Sequence, residues 1–159
     1  MDLVYHIYKD TPNLFFNRRR YLIMVKLIVG VVGTGKTKTL IEMVNASAEQ
    51  SKGSVICIEQ GNKLNFDVTY KARLIDTKQF EIEDAQALYG FVAGIAASDH
   101  DITNIFIDSA LKICANDVAA FAKLVEEIAK LAENYKFDCV MTVSSAPEAL
   151  PASLKGYIG

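Results

Sequence analysis

The sequence predicts an α/β fold, a three-layer α/β/α sandwich with a mostly parallel sheet of about five strands. Three observations carry this expectation. Short runs rich in Val and Ile alternate along the chain with longer segments of helical period, the pattern of strands joined by crossover helices. The runs are almost continuously apolar, as expected of strands covered on both faces. A glycine-rich segment, Gly30 to Gly35, joins the first run directly to the first helix.

Taken in order, Val25–Val31 is apolar but for Lys26 and predicts the first strand. Lys36–Glu49 predicts a helix with Leu40, Ile41 and Val44 on one face. Ser54–Glu59 (SVICIE) is the second strand and Ala72–Asp76 (ARLID) a short third; Gln60–Lys71 between them is polar and irregular. Ile82–Ala97 reads as a helix with Ala85, Leu88, Val92, Ile95 and Ala96 inward. Its Gly90 and Gly94 lie one turn apart and are expected to let another element approach closely. Asn104–Asp108 (NIFID) is a strand. Asn116 or Asp117 caps a helix in which Phe121, Leu124, Val125, Ile128 and Leu131 repeat at helical spacing. Asp138–Val143 (DCVMTV) is the last strand, followed by Pro147 and Pro151. Crossovers between parallel strands are expected to be right-handed. There is no internal repeat, low-complexity tract or linker.

With 159 residues, 51% hydrophobic and 23% charged, the chain is one domain with a sizeable core and is too apolar to be disordered. A formal charge of −2 gives no nucleic-acid signature. Cys57, Cys114 and Cys139 lack CxxC spacing and read as reduced core residues of a cytoplasmic protein. Neither His6 nor His100 sits in a ligand-like cluster. The apolar run Tyr21–Val32, broken by Lys26, is too short to span a membrane and has no small-residue cleavage site after it.

Residues 1–23 form an N-terminal extension, and 24–159 the folded domain. Arg18-Arg19-Arg20 precedes Met24 by a few codons. That is the layout expected if a ribosome-binding site had been translated and Met24 were the natural start. The alternative is a genuine extension packing on the domain surface. A native peptide containing Tyr5 or His6, found by mass spectrometry, decides for the extension.

The chemistry lies at the first strand–helix junction. Gly30-Val31-Val32-Gly33-Thr34-Gly35-Lys36-Thr37 fits GxxxxGK[ST] at every fixed position. Glycines let the backbone wrap around phosphate oxygens with N–H groups pointing inward. The helix that follows offers its unsatisfied N-terminal N–H groups and the positive end of its dipole. Lys36 supplies a point charge to the β- and γ-phosphates, and Thr37 a hydroxyl to Mg²⁺. Gly30, Gly33, Thr34, Gly35, Lys36, Thr37 and Lys38 form the expected phosphate-binding set. Asp108, ending the apolar run Ile105-Phe106-Ile107, lies at the same sheet edge and is the expected second ligand to the metal.

These two motifs resemble the P-loop NTPase superfamily over Val25 to about Tyr157, with the spacing and size of RecA-like or AAA-like cores. The chain also looks like small bacterial proteins labelled ATP-binding or twitching-motility ATPases. A pilus-retraction motor of that kind carries an additional N-terminal domain and histidine-containing motifs, neither visible here. The resemblance implies ATP and Mg²⁺ as cofactors. Many hydrolytic ATPases of these groups place a Glu directly after the strand-end Asp to orient water, whereas here Ser109 follows Asp108. Either hydrolysis is slow, or a carboxylate from another strand end acts, with Glu59 and Asp76 as candidates beside Lys36 in the catalytic set. Both also read as solvated loop carboxylates. Ser144 stands where related folds place a γ-phosphate sensor, and equally reads as a turn serine.

Absent motifs narrow the class. Asn62-Lys63-Leu64-Asn65 comes too early and lacks the Asp of a guanine-reading Asn-Lys-x-Asp. Nucleotide kinases close arginine-bearing lids over concentrated negative charge, but after Arg20 the only arginine is Arg73. The expectation is therefore a slow or partner-dependent Mg-ATPase. A regulatory module that binds nucleotide without turnover is the alternative, and a small-molecule kinase a second one. A monomer or dimer is favoured over a ring, and an unidentified protein partner is expected to supply missing catalytic groups.

Overall fold

A computed structural model describes residues 25–159. The extension, Met24 as natural start, and Arg18–Arg20 lie outside the described residues. The elements run β1 (Val25–Gly30), α1 (Lys36–Gln50), β2 (Ser54–Glu59), β3 (Arg73–Asp76), α2 (Ala85–Ser98), β4 (Ile102–Ile107), α3 (Ala110–Ile113), α4 (Val118–Tyr135) and β5 (Asp138–Ser144). The five strands form one sheet in the order β1-β5-β4-β2-β3, and every pairing is parallel. Beyond β5 the chain turns through short 3₁₀ segments, and Ile158 bridges to Leu27 on the outer side of β1.

Strand side chains alternate between faces, so each strand feeds two cores. Ile56, Ile58, Ile105, Ile107, Cys139, Met141 and Val143 pack with α2 and α4 on one face. Ile28, Val55, Cys57, Phe106 and Val140 pack with Leu40, Met43 and Val44 of α1 on the other, joined by Leu64 and Ala72 from the connection between β2 and β3. This is the predicted three-layer sandwich. Phe121, Leu124 and Ile128 of α4 are fully buried, and each such side chain contributes roughly 1.5–3 kcal/mol.

Boundaries differ where local chemistry overrides periodicity. Ile82 is buried but precedes α2. A 3₁₀ turn over Thr77–Phe80 ends at Glu81 in the left-handed region, and Asp84 then caps α2 by accepting from the Ala87 N–H at 2.8 Å. Of the two proposed caps for α4, Asp117 does the work, accepting from the Ala120 N–H at 3.0 Å. Gly90 and Gly94 admit no close neighbour: a Cβ built at either meets no described atom within 4 Å. The three cysteines are free and buried, and burial pushes each thiol up. No helix among the described residues is long and apolar enough to cross a membrane.

Candidate functional site

Parallel strands present all their C-terminal ends at one sheet edge, and register decides which side chains meet there. Thr142 pairs with Ile28 in register, and Ile28 belongs to the α1 face. Glu59 follows Cys57 by two residues and Asp108 follows Phe106 by two, which puts both on that face as well. The N-terminus of α1 opens onto the same place.

The loop between β1 and α1 takes its shape from its glycines. Gly33 and Gly35 adopt φ of 86° and 81°, values side chains disfavour. A Cβ on Gly30 would lie 2.6 Å from the Thr34 hydroxyl, which instead donates to the Val31 carbonyl at 2.8 Å. No side chain caps α1 and its first turn holds no acidic residue, so its first N–H groups are left for an anion. Lys36 is buried at 9% exposure, and its ammonium donates to the Val31 carbonyl at 2.9 Å. Burial lowers its pKa, while Asp108 opposes the shift.

Asp108 is the hub. Its Oδ1 accepts from the Thr37 hydroxyl at 3.1 Å and from the Thr142 hydroxyl at 2.7 Å. Thr142 Oγ1 in turn accepts from the Ser109 N–H at 2.7 Å. Ser109 itself is left-handed, at φ 55° and ψ 46°. The proposed metal ligands Thr37 and Asp108 are thus already in contact, a hydroxyl and a carboxylate able to share a hard cation that takes its other oxygens from phosphate and water. No cluster of three or more His, Cys, Asp or Glu occurs among the described residues.

A cavity of about 560 Å³ covers the loop, lined by Gly33, Gly35, Lys36, Thr37, Lys38 and Ser144 of the expected set. Gly30 and Thr34 shape the loop and do not line the cavity. Thr142, Ser109, Lys112 and Asn116 also line it. The sequence offers Lys112, with Lys63, only as a lysine that a kinase would rely on in place of arginine, and Ser109 only as the residue after Asp108; Asn116 reads as a helix cap and Thr142 as a hydroxyl in an apolar strand.

The two carboxylates proposed for catalysis are placed differently. Glu59 is 2% exposed and lines a second, small cavity of about 30 Å³ with Lys63, Asp108, Ser109 and Lys112. Its Oε2 accepts from the Leu64 N–H at 3.0 Å, and its Oε1 is sealed from solvent without a partner. Burial pushes this carboxyl above the usual range, partly offset by the Leu64 and Lys63 N–H groups. Asp76 is not brought to either cavity. It lies on β3, the outermost strand, and its Oδ1 accepts from the N–H groups of Gly61 at 2.6 Å and Lys78 at 2.9 Å. Those bonds anchor the turns on either side of it, and in register Asp76 stands beside Glu59.

No family model matches the chain, and no curated protein matches it. Among solved structures it is similar to C. elegans PCH-2, at a TM-score of 0.51 and 17% identity over 99% of this chain and 38% of that one. It is also similar to the pCW3 conjugation coupling protein TcpA, solved in monomer form with ATPγS, at a TM-score of 0.48 and 14% identity over 83% of this chain. The chain spans less than half the length of either, 38% and 46%. The parallel five-stranded sheet and the likeness to PCH-2 make this the P-loop NTPase fold.

Proposed function

We propose that this chain binds ATP with Mg²⁺ at Gly30–Thr37 and hydrolyses it as a slow or partner-dependent Mg-ATPase. The observation that carries the reading is the Thr37–Asp108–Thr142 network at the uncapped N-terminus of α1. It assembles an anion cradle, a buried lysine and two oxygen ligands at one point. On binding, Lys36 exchanges the Val31 carbonyl for β- and γ-phosphate oxygens. Thr37 and Asp108 hold Mg²⁺, which supplies neutralisation of phosphate charge. Thr142 keeps Asp108 oriented.

Glu59 is the residue suited to take a proton from the attacking water as the bond from the γ-phosphorus to its bridging oxygen breaks, leaving ADP and phosphate. The small cavity beside it has room for about one water. In the described state both Glu59 oxygens are withheld, one by Leu64 and the other by burial. The turn at Lys63–Leu64 must give before Glu59 reaches a water, which is why turnover is slow or waits on a partner. The same withholding favours a second reading, a module in which ATP binding alone sets a conformation.

Two measurements test this. Mg-ATP raises the melting temperature of the wild type, and Lys36→Ala removes most of the rise; no shift with any nucleotide at millimolar concentration overturns the proposal. Phosphate release is detectable in the wild type and lost in Glu59→Gln with ATP binding intact. Binding without release under any condition decides for the second reading.

A further inference from the structure

We propose that Lys112 places its ammonium on the γ-phosphate from within this chain, the role an arginine fills in many phosphoryl-transfer sites. This inference rests on the nucleotide reading of the loop. Lys112 is the one charged side chain that lines both cavities, the larger one over Lys36 and Thr37 and the smaller one beside Glu59 and Asp108. Lys38 lines only the first, and Lys63 only the second. The boundary between the cavities is where the terminal phosphate and an attacking water must meet.

Local structure explains how Lys112 comes to be there. The left-handed Ser109 turns the chain sharply at the end of β4, and the Thr142 hydroxyl holds that turn through the Ser109 N–H. The short α3 that follows buries Ala110, Leu111 and Ile113, which leaves Lys112 as its exposed residue. Its ammonium makes no hydrogen bond or ion pair with any described residue, so no existing bond need break for it to meet an anion.

No described arginine can substitute. Arg73 opens β3 in register with Ile56, whose side chain lies on the α2 and α4 face, away from Asp108. A lysine offers a point charge rather than a fork, so Lys112 stabilises charge on one phosphate oxygen without fixing the geometry of two. Because the β-phosphate is held by the loop itself, Lys112 should distinguish a triphosphate from a diphosphate.

The test compares wild type, Lys112→Ala, Lys112→Arg and Lys36→Ala for affinity to Mg-ADP and Mg-ATPγS, and for phosphate release. In Lys112→Ala, ADP affinity stays within about twofold while ATPγS affinity falls about tenfold, the loss of one charge-assisted contact. Turnover falls on the order of 10²-fold, as on removal of one charge-stabilising donor. Lys112→Arg recovers most of the ATPγS preference. An unchanged ATPγS-to-ADP ratio in Lys112→Ala overturns the proposal while the loop reading stands. An equal loss of both ligands with a lowered melting temperature overturns it by showing a structural role. If Lys36→Ala binds both nucleotides as well as wild type, the loop reading fails and the proposal with it. Should the wild type show no turnover, the affinity ratio alone decides.

Discussion

Thr142 is the residue whose importance register reveals. Within DCVMTV it is one hydroxyl in an apolar strand. The pairing of β1 with β5 sets it on the α1 face, 2.7 Å from both the Asp108 carboxylate and the Ser109 N–H. Thr142→Val keeps the shape and removes the hydroxyl, leaving the Ser109 N–H without its partner and the Asp108 Oδ1 with Thr37 alone. The expected cost is about 1–3 kcal/mol of stability by denaturant unfolding, with a higher Mg²⁺ requirement for nucleotide binding. Unchanged stability and Mg²⁺ dependence would remove Thr142 from the site. Glu59 makes the opposite case, since burial raises its folded pKa. In the unfolded chain a Glu titrates near about 4.3. Between that value and the raised one the folded state holds the extra proton, so wild-type stability falls as pH rises through this window and then levels. Glu59→Gln escapes the fall. Its melting temperature relative to wild type is therefore near parity at pH 4 and higher at pH 8, by roughly 2–4 °C per kcal/mol relieved. A difference independent of pH contradicts this.

At the scale of elements, the Gly30–Thr37 loop was legible because its chemistry is local: spacing within eight residues names it, and the strand and helix around it follow from pattern. Asp108 was legible for the same reason, as the end of an apolar run. The start of α2 was not, because Ile82 fits the helical period while the left-handed Glu81 and the Asp84 cap set the boundary. The segment 60–71 read as irregular, yet it is pinned. Asn45 of α1 donates to the Asp67 carbonyl at 2.8 Å and accepts from the Thr69 N–H at 2.9 Å. Leu64 lies buried beneath it, and Glu59 holds its first turn. The Asn45 contacts join residues far apart in sequence, so no local pattern announces them. Asn45→Ala removes two of the anchors at about 0.5–1.5 kcal/mol each. Limited proteolysis should then make its first cut within residues 60–72, at a higher rate than the wild type is cut there. A first cut elsewhere, or no change in rate, would show that the segment holds without Asn45.

Across the whole molecule, the candidate site and the larger core lie on different faces of the sheet. The site gathers at the C-terminal edge of the sheet on the α1 face, whereas the larger core lies on the other face, between the strands and the α2 and α4 helices. Leu88 of α2 is fully buried in that core and lines neither cavity. Leu88→Ala should cost about 2–5 kcal/mol, which for a domain of this size lowers the melting temperature by several degrees. It should leave the site untouched. A ligand that binds only the folded state adds RT ln(1 + [L]/Kd), about 2.7 kcal/mol at a hundredfold excess over Kd, whatever the starting stability. Mg-ATP should therefore raise the melting temperature of Leu88→Ala by about as much as it raises that of the wild type. Lys36→Ala is expected to do the reverse, melting near the wild type without nucleotide and gaining little from it. Thermal unfolding of the three proteins with and without Mg-ATP separates the two effects. A nucleotide shift lost in Leu88→Ala would mean that the α2 face and the phosphate site act as one unit, and that the division of the sheet into a structural face and a chemical face is wrong.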